Sequence, residues 1–293
     1  VKFMPELPEV ETVRRGLAPF IEGARIESVT LNRPDLRFPF PEGFVSRLEG
    51  QTITHLGRRA KYLIATLSGG GVWLSHLGMT GAFFVADQRL DEPSRLNPGD
   101  GTGKHVHVVA TLTHPSRGRV SLSYSDPRRF GFMDLFGPGA DNPFTDSLGP
   151  EPLGNDLSAP YLAQRLENKK GPIKTVLLDQ RVIAGLGNIY VCEALYMSGI
   201  DPRRAGGTLK AGEIELLVAA IRQVLAAAIA AGGSTLKDFA KADGQPGYFQ
   251  HSFAVYGHEG DPCPRPGCGG TIKRIVQAGR STFFCPACQR ESI

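Results

Sequence analysis

The sequence contains no long hydrophobic run. Its most apolar stretch, residues 214–230, is interrupted by Glu215, Arg222 and Gln223, whereas a membrane-spanning helix needs about 20 consecutive apolar residues. The first residues also lack the apolar run that is typical of a secretory signal. We therefore expect a cytoplasmic protein without a membrane partner.

Several enzyme signatures are missing as well. The sequence has no P-loop, no His-Glu-x-x-His string and no Ser-His-Asp order, so the usual phosphoryl-transfer and hydrolase sites have no residues to form them. We accordingly expect no nucleotide cofactor.

The sequence also has little excess of positive over negative charge. Its 33 Lys and Arg residues against 29 Asp and Glu residues leave a net charge of only +4. That excess does not specify a partner by itself.

Hydrophobic periodicity divides the 293 residues into two parts. Residues 7–20 have helical spacing, and short β-rich runs separated by turns follow as far as about Phe136. A stretch rich in Pro, Gly, Asp and Asn at 87–103 predicts a surface loop. The predicted strands cover 26–31, 52–56, 62–67, 72–77, 83–85, 105–112 and 120–124. This pattern favours an N-terminal helix followed by an antiparallel sandwich or barrel.

The second part of the chain has a helical pattern. Five prolines fall within residues 137–160, which we interpret as a hinge between two domains. Beyond the hinge, apolar residues recur at helical spacing until about Phe239. The predicted helices cover 161–167, 172–178, 187–197 and 211–230.

Cysteines are few, and four of the five lie near the C-terminus, as Cys263-x4-Cys268 and Cys285-x2-Cys288. Two sulfurs separated by two to four residues can face one ion from a tight turn. Two disulfides are the alternative, which a reducing compartment disfavours. We predict one structural zinc ion per chain in a small β-hairpin. Cys192 falls inside a predicted helix, where a buried core residue is expected.

The tail from residue 261 to residue 293 is locally basic, with five basic residues against two acidic ones, and it contains the predicted hairpin. Its tip carries Arg280 beside Gly279, and glycine allows the backbone to approach a phosphate closely. A solvated surface arginine is the alternative interpretation.

The other feature with a chemical interpretation is Met4-Pro5-Glu6. Removal of the methionine would leave Pro5 with a free secondary amine, and an α-amino group has a pKa of about 7.7–8.0. Such an amine can attack the C1′ atom of a sugar, and Glu6 could shuttle protons to the opened ring. A structural interpretation stays open, because proline and acidic residues also suit the first turn of a helix.

Six segments, taken in order from Met4 nearly to the C-terminus, resemble the motif set of the formamidopyrimidine-DNA glycosylase family. They are residues 5–11 (PELPEVE), 59–63 (RAKYL), 76–81 (HLGMTG), 126–131 (DPRRFG), 185–190 (GLGNIY) and the four-cysteine tail. Each string is weak alone, but the ordered set is specific.

The resemblance implies an α+β protein of several domains. An N-terminal catalytic β-sandwich with an N-terminal helix would span 4–137, with the hinge at 138–160. A helix-two-turn-helix domain that binds DNA and carries a lesion-capping loop would span 161–258, and a zinc finger 259–293. Damaged double-stranded DNA would bind between the domains. The resemblance also implies a bacterial, nucleoid-associated monomer.

The resemblance further implies a reaction and its residues. Pro5 would be the Schiff-base nucleophile and Glu6 the acid and base. Lys61 and Arg280 would be the proton donors associated with β- and δ-elimination, respectively. The enzyme would thus be a DNA glycosylase that removes oxidised purines and also acts as an abasic-site lyase in base-excision repair.

DNA contacts are implied for a further set of polar and space-filling residues. His76, His105, Arg128, Lys170, Asn188 and Arg280 would contact DNA, mostly at phosphates. Met79, Arg128 and Phe130 would fill the space that the flipped nucleotide leaves. Taken alone, His76 and His105 suit strand histidines with satisfied hydrogen bonds, while Met79 and Phe130 suit a core.

Three departures from the family pattern accompany the resemblance. Val106 replaces the aspartate of a Lys-His-Asp-His string, and the first cysteine pair has a four-residue gap where two is usual. Val1-Lys2-Phe3 precede Met4, which would leave Pro5 as an amide, and we expect the active protein to begin at Pro5.

Two alternative functions remain. An endonuclease VIII-type enzyme for oxidised pyrimidines usually has glycine after the Pro-Glu pair, where this chain has Leu7. Residues 243–249 also resemble the loop that closes over 8-oxoguanine, which favours the purine enzyme. A blocked N-terminus would instead produce a damage-binding protein without catalysis.

Overall fold

The computed structural model describes residues 4–87, 103–234 and 249–290. The chain forms two units, one from residues 1–146 with 231–250 and one from residues 147–230 with 251–293. Residues 88–102, most of the predicted surface loop, lie outside the described residues. None of the described helices is both long and apolar enough to cross a membrane.

Helix α1 (Leu7–Ile21) lies at the start of the first unit. Glu6 and Glu9 form a capping box, in which each side chain accepts the backbone N–H of the other residue. The helix is followed by Gly23, whose φ of +81° suits glycine. Its buried apolar side chains recur every three or four residues: Leu7, Val10, Val13, Leu17 and Ile21. The first half of the helix is buried on its other sides as well, where Glu9 and Glu11 lie.

Two antiparallel four-stranded sheets follow. The first contains, in spatial order, β1 (Arg25–Leu31), β6 (Val106–His114), β7 (Gly118–Ser125) and β5 (Ala82–Asp87). The second contains β2 (Ile53–Arg59), β3 (Tyr62–Leu67), β4 (Val72–His76) and β8 (Phe132–Phe136). Residues of both sheets and of α1 share one buried core, which includes Val10, Ile26, Leu63, Trp73 and Leu122. The predicted β-sandwich is therefore confirmed.

Two elements of this unit were not predicted as a helix or a strand. Helix α2 (Phe44–Leu48) is only five residues long, too short to show helical periodicity. Strand β8 reads Phe-Met-Asp-Leu-Phe and does not alternate strictly between apolar and polar residues. Its pairing with β4 decides its conformation.

The second unit is mainly helical. Its helices are α3 (Ala159–Leu166), α4 (Ile173–Leu177), α5 (Asn188–Met197) and α6 (Ala211–Ala230). Ser158 caps α3, since its hydroxyl accepts the backbone N–H of Tyr161 at 3.2 Å. The predicted continuation to Phe239 and most of the predicted lesion-capping loop, residues 243–248, lie outside the described residues.

A hairpin of two strands, β9 (Lys273–Gln277) and β10 (Arg280–Phe284), belongs to the same unit. Its turn consists of Ala278 and Gly279, with φ values of +47° and +72°, as expected for a two-residue type I′ turn. Arg280 is the first residue after the turn. The predicted C-terminal β-hairpin is confirmed.

Candidate active site and zinc centre

Hydrogen bonds hold the segment that precedes α1. The backbone N–H of Glu6 donates to Oε2 of Glu9 at 2.9 Å, and the Glu6 carboxylate accepts the backbone N–H of Glu9 in return. Glu6 is only 4% exposed, and Pro5 is half-buried. The backbone of these two predicted catalytic residues therefore has a defined conformation beside the helix.

Two glycine-containing motifs of the first unit pack backbone against backbone. A Cβ on Gly78 would lie 2.3 Å from the backbone nitrogen of Gly131, and the φ of Gly78 is +64°. A Cβ on Gly131 would lie 2.7 Å from the carbonyl oxygen of His76. Only glycine permits such close approach. The contact brings the segments 76–79 and 128–131 together.

Asp126 organises the turn of the second motif. It is fully buried; its Oδ2 accepts the backbone N–H of Gly131 at 2.8 Å, and its Oδ1 accepts the Thr80 hydroxyl and the backbone N–H of Arg128. Hydrogen bonds to an ionised carboxylate are stronger than neutral ones. Asp126 begins the motif, but no role was predicted for it from the sequence.

An open pocket of about 520 Å³ lies at this junction. Four residues with predicted DNA contacts line it together: His76, Met79, Arg128 and Phe130. The Phe130 ring is 43% exposed, and the Arg128 guanidinium lies 4.6 Å from the ring centroid. Phe130 is thus not a core residue. Met4, which precedes Pro5, also lines the pocket.

The pocket is cationic, and two of the arginines that line it were not predicted from the sequence. Arg37 and Arg129 line it beside Arg128, and no acidic side chain does so within the described part of the chain. Arg37 is anchored through its backbone N–H, which donates to the carbonyl oxygen of Gly131 at 3.0 Å. Arg129 could have been found in its motif, whereas nothing in the local sequence marks Arg37.

His76 lies in this pocket as a neutral side chain. Its Nδ1 accepts the backbone N–H of Gly78 at 3.1 Å, so the proton of the neutral ring is on Nε2. The ring stacks on Phe132 at 5.3 Å. Burial, and then the charges of Lys61 and Arg37, lower the pKa of His76 to about 4. The ring can therefore donate a hydrogen bond at neutral pH without carrying a charge.

Lys61 and His105 belong to the same unit but are not among the residues that line this pocket. Ala60 and Lys61 form the turn between β2 and β3, where Ala60 has a φ of +51°. His105 directly precedes β6, and its carbonyl oxygen accepts the backbone N–H of Asp126 at 3.0 Å. His105 is therefore tied to the turn that carries Arg128.

The remaining predicted contacts lie in the second unit. Asn188 begins α5, and its Nδ2 donates to the carbonyl oxygen of Ser281 at 2.9 Å and to the Tyr256 hydroxyl at 3.2 Å. Arg280, next to Ser281, is exposed, as is Lys170 in the segment between α3 and α4. Asn188 is thus joined directly to the hairpin strand that carries Arg280.

A buried carboxylate supports this junction. Glu193 on α5 accepts the backbone N–H groups of Ala254, Val255 and Tyr256 at 2.8–3.0 Å. Burial raises the pKa of Glu193, although these three hydrogen bonds oppose the shift. Glu193 was not predicted as a site residue from the sequence.

The four C-terminal cysteines form a metal centre. Their Sγ atoms lie within 4.8 Å of one another, with 3.8 Å between Cys263 and Cys288 and 3.6 Å between Cys268 and Cys285. Four sulfurs at about 2.3 Å from a tetrahedral zinc would lie about 3.8 Å apart, whereas a disulfide needs about 2.05 Å. The cluster fits one structural zinc ion and excludes the disulfide alternative. Cys192 is buried, as expected.

Family models match most of the chain. Residues 4–133 match the formamidopyrimidine-DNA glycosylase N-terminal domain, and residues 148–240 match the H2TH domain of the same protein. Residues 260–290 match the zinc finger found in FPG and IleRS.

Individual proteins agree with the family models. Formamidopyrimidine-DNA glycosylases of Rhizobium leguminosarum and Ruegeria pomeroyi are 54% and 53% identical, each over 98% of this chain and 100% of the relative. The crystal structure of the Thermus thermophilus Fpg protein has a TM-score of 0.81 at 40% identity and covers 97% of this chain and 98% of its own. A complex of Lactococcus lactis Fpg with DNA that contains an abasic site has a TM-score of 0.83 at 35% identity, over 98% of this chain and 100% of its own. This chain belongs to the formamidopyrimidine-DNA glycosylase family of bifunctional glycosylases and abasic-site lyases.

Proposed function

We propose that this chain excises oxidised purines, such as 8-oxoguanine and formamidopyrimidines, from duplex DNA and then nicks the abasic site. The relatives named above are formamidopyrimidine-DNA glycosylases, and the L. lactis structures contain DNA with Fapy-dG or an abasic site. Leu7 also follows the Pro-Glu pair, at the position where an endonuclease VIII-type enzyme usually has glycine. These observations favour the purine enzyme over the endonuclease VIII-type alternative.

The proposed nucleophile is the secondary amine of Pro5. Its nitrogen forms a bond to C1′ of the flipped nucleotide while the bond between C1′ and the base breaks. The base leaves with the electron pair and takes a proton from solvent, and the Pro5 nitrogen passes its own proton to the Glu6 carboxylate. Glu6 protonates the sugar ring oxygen as the ring opens, which leaves an iminium ion between Pro5 and C1′. The observation that carries this proposal is that Met4, directly before Pro5, lines the pocket of His76, Met79 and Phe130.

Strand cleavage follows from the same iminium ion. Loss of a C2′ proton breaks the bond between C3′ and its phosphate oxygen, and a second elimination releases the phosphate at C5′. We assign Lys61 to the β-elimination and Arg280 to the δ-elimination, as proton donors to the departing groups.

The DNA contacts in the proposal fall into two groups. His76, His105, Lys170, Asn188 and Arg280 donate to phosphates, which set register without reading sequence. Met79, Arg128 and Phe130 replace the stacking that is lost when the nucleotide flips. Arg37 and Arg129, which line the same pocket, add positive charge toward the DNA backbone.

The zinc ion has a structural role. Cys263, Cys268, Cys285 and Cys288 would hold it beside the hairpin that carries Arg280. Four thiolates would satisfy the ion and leave no position for a substrate or a water molecule. We further propose that the protein is a monomer that acts in the bacterial cytoplasm, at the nucleoid.

Borohydride trapping tests the proposal. Borohydride delivers a hydride to the iminium carbon and converts the intermediate into a stable protein–DNA adduct. We expect a protein that begins at Pro5 to form this adduct with 8-oxoguanine DNA, and peptide mapping should locate the DNA on its first peptide. A protein that retains Val1–Met4 should give no adduct, because the Pro5 nitrogen is then an amide without a free electron pair.

Two variants separate the steps. Glu6→Gln should keep affinity for lesion DNA but lose base excision by about 100-fold or more, as expected for loss of a general acid. Lys61→Ala should weaken strand cleavage more than base excision. Equal trapping by both N-terminal forms would make another amine the nucleophile, with Lys61 tested first. Lesion binding without any adduct would support the damage-binding alternative.

A further inference from the structure

We infer that Glu9 is a positioning residue for the Pro5–Glu6 peptide, and that Ser234 holds Glu9 in place. The inference rests on the proposed role of Pro5 as the nucleophile. It identifies the groups that determine where the attacking nitrogen lies.

The Glu9 carboxylate accepts hydrogen bonds from two segments of the first unit that are far apart in the sequence, one at Glu6 and one at Ser234. Oε2 accepts the backbone N–H of Glu6 at 2.9 Å. Oε1 accepts both the backbone N–H and the hydroxyl of Ser234, at 3.0 and 2.9 Å. Glu9 is only 3% exposed, so water does not replace these donors.

Gly233 packs the other segment tightly against the same side chain. Its φ is +77°, and a Cβ at this position would lie 3.3 Å from Glu9 Oε1 and 3.4 Å from Glu9 Cα. The backbone at 233–234 therefore lies directly on Glu9. The carboxylate cannot turn away without losing its contacts with Ser234.

These contacts restrict the position of the attacking nitrogen, because very few torsion angles lie between that nitrogen and the Glu6 N–H group. The N–H group of Glu6 belongs to the planar peptide whose carbonyl carbon is that of Pro5. When Glu9 fixes this plane, one torsion, ψ of Pro5, sets the direction of the ring nitrogen. Misplacement of a reacting atom by about 1 Å can cost about 100-fold in rate. Glu9 itself does not touch the reacting atoms, so its effect is exerted through the peptide.

A purely structural role makes a different prediction. If Glu9 served only to cap α1, its loss would lower the free energy of unfolding and leave the chemistry of the folded enzyme unchanged. A positioning role instead lowers the rate of adduct formation while affinity for the abasic site stays the same. The two quantities can be measured on one preparation.

The first test is Glu9→Gln in the protein that begins at Pro5. Glutamine offers one acceptor oxygen and one NH₂ group, while the N–H groups of Glu6 and Ser234 both need an acceptor. We expect adduct formation with abasic-site DNA, under single-turnover borohydride trapping, to slow by about 10- to 100-fold. Affinity for a tetrahydrofuran abasic-site analogue should change by less than about threefold.

Two further variants complete the design. Ser234→Ala removes only the hydroxyl donor, so it should slow adduct formation by about threefold without impairing folding. Glu22→Gln is the matched control, because it removes a carboxylate charge at the other end of α1, about 24 Å from Glu6 at 1.5 Å per residue. It should trap at the wild-type rate.

The outcomes are distinct. Trapping of Glu9→Gln at the wild-type rate, or a loss of affinity as large as the loss of rate, would overturn the inference. If Glu9→Gln does not fold, wild-type trapping by Ser234→Ala overturns it instead. An adduct on a peptide other than the first in the unmutated enzyme would mean that the proposed function of Pro5 fails, whatever Glu9 does.

Discussion

Single residues in the pocket differ in how they can hold DNA. Arg128 and Arg37 bring a permanent charge, so any phosphate that either guanidinium contacts in the proposed complex would release counterions. His76 is neutral, because the Gly78 N–H occupies Nδ1 and burial opposes protonation. We expect its contact to be an uncharged hydrogen bond from Nε2 that contributes little to the salt dependence of binding.

The lowered pKa of His76 makes stability depend on pH. In the unfolded chain this histidine binds a proton below about pH 6.5. In the folded protein burial, and then the charges of Lys61 and Arg37, lower its pKa to about 4. Its contribution is thus fully present above pH 6.5 and is lost as the pH falls toward 4. The loss should reach roughly 3 kcal/mol.

Urea unfolding of the wild type and of His76→Gln at several pH values measures this contribution of His76 to the free energy of unfolding. The free energy of unfolding of the wild type should fall more steeply between pH 6.5 and 4 than that of the variant, which has no titrating group at this position. Parallel curves would show that the histidine is protonated normally in the folded state.

At the scale of the element, the site depends on turns more than on helices or strands. The loop after β4 and the loop before β8 touch through Gly78 and Gly131. Asp126 fixes the second loop by accepting backbone N–H groups. The half-buried side chain of Arg128 and the exposed side chain of Phe130 are held by a backbone with little freedom to move.

Gly78→Ala tests this packing against a matched glycine. At Gly78 the new Cβ would meet backbone atoms at 2.3 Å in addition to a φ of +64°, and we expect a loss of about 2–5 kcal/mol together with weaker DNA binding. Gly118 has a similar φ of +78° but nothing within 4 Å of the added Cβ. Gly118→Ala should therefore cost only about 1–2 kcal/mol and leave DNA binding intact. Equal losses of stability in chemical denaturation would contradict the packing argument.

At the scale of the whole molecule, the two units have separate sources of stability. The sandwich has its own apolar core, which includes Trp73, the only tryptophan in the chain. The zinc cluster and the hairpin belong to the second unit. A hairpin of two five-residue strands is too small to be stable alone, so it depends on the packing of its buried β10 residues and on the bound metal, which would contribute folding free energy.

Zinc removal should separate folding from DNA binding. Chelation is expected to lower DNA affinity by roughly tenfold or more, since the hairpin loses the structure that holds Arg280. The fluorescence of Trp73 should keep its buried emission, because the sandwich core contains no residue of the hairpin. Added zinc should restore binding.

Two cysteine variants provide the control. Cys288→Ser should lose the metal and the affinity together, whereas Cys192→Ser should retain one zinc ion per chain, since Cys192 is buried on α5, outside the cluster. A red-shifted Trp73 emission on chelation, or an unchanged affinity, would defeat the prediction.

An element could be predicted from the sequence where residues close together in the chain determine its conformation. Helix α6 was predicted over the residues that form it, because an apolar face recurs through all its turns. Strand β8 and helix α2 were not predicted, since pairing with β4 and contacts with the core set their conformations. Arg37 could not be found because only the fold brings it beside Arg128.

By itself the sequence determined the zinc ligands, the β-sandwich, the helical second part and the family, because cysteine spacing, hydrophobic period and ordered motifs are local properties of the chain. Tertiary structure decided which groups meet. It set the neutral state of His76, which burial controls, and the closeness of Gly78 to Gly131. It also placed the Glu9 carboxylate between Glu6 and Ser234, although Ser234 lies 225 residues after Glu9 in the sequence. Such contacts depend on chain segments that only folding brings within hydrogen-bonding distance.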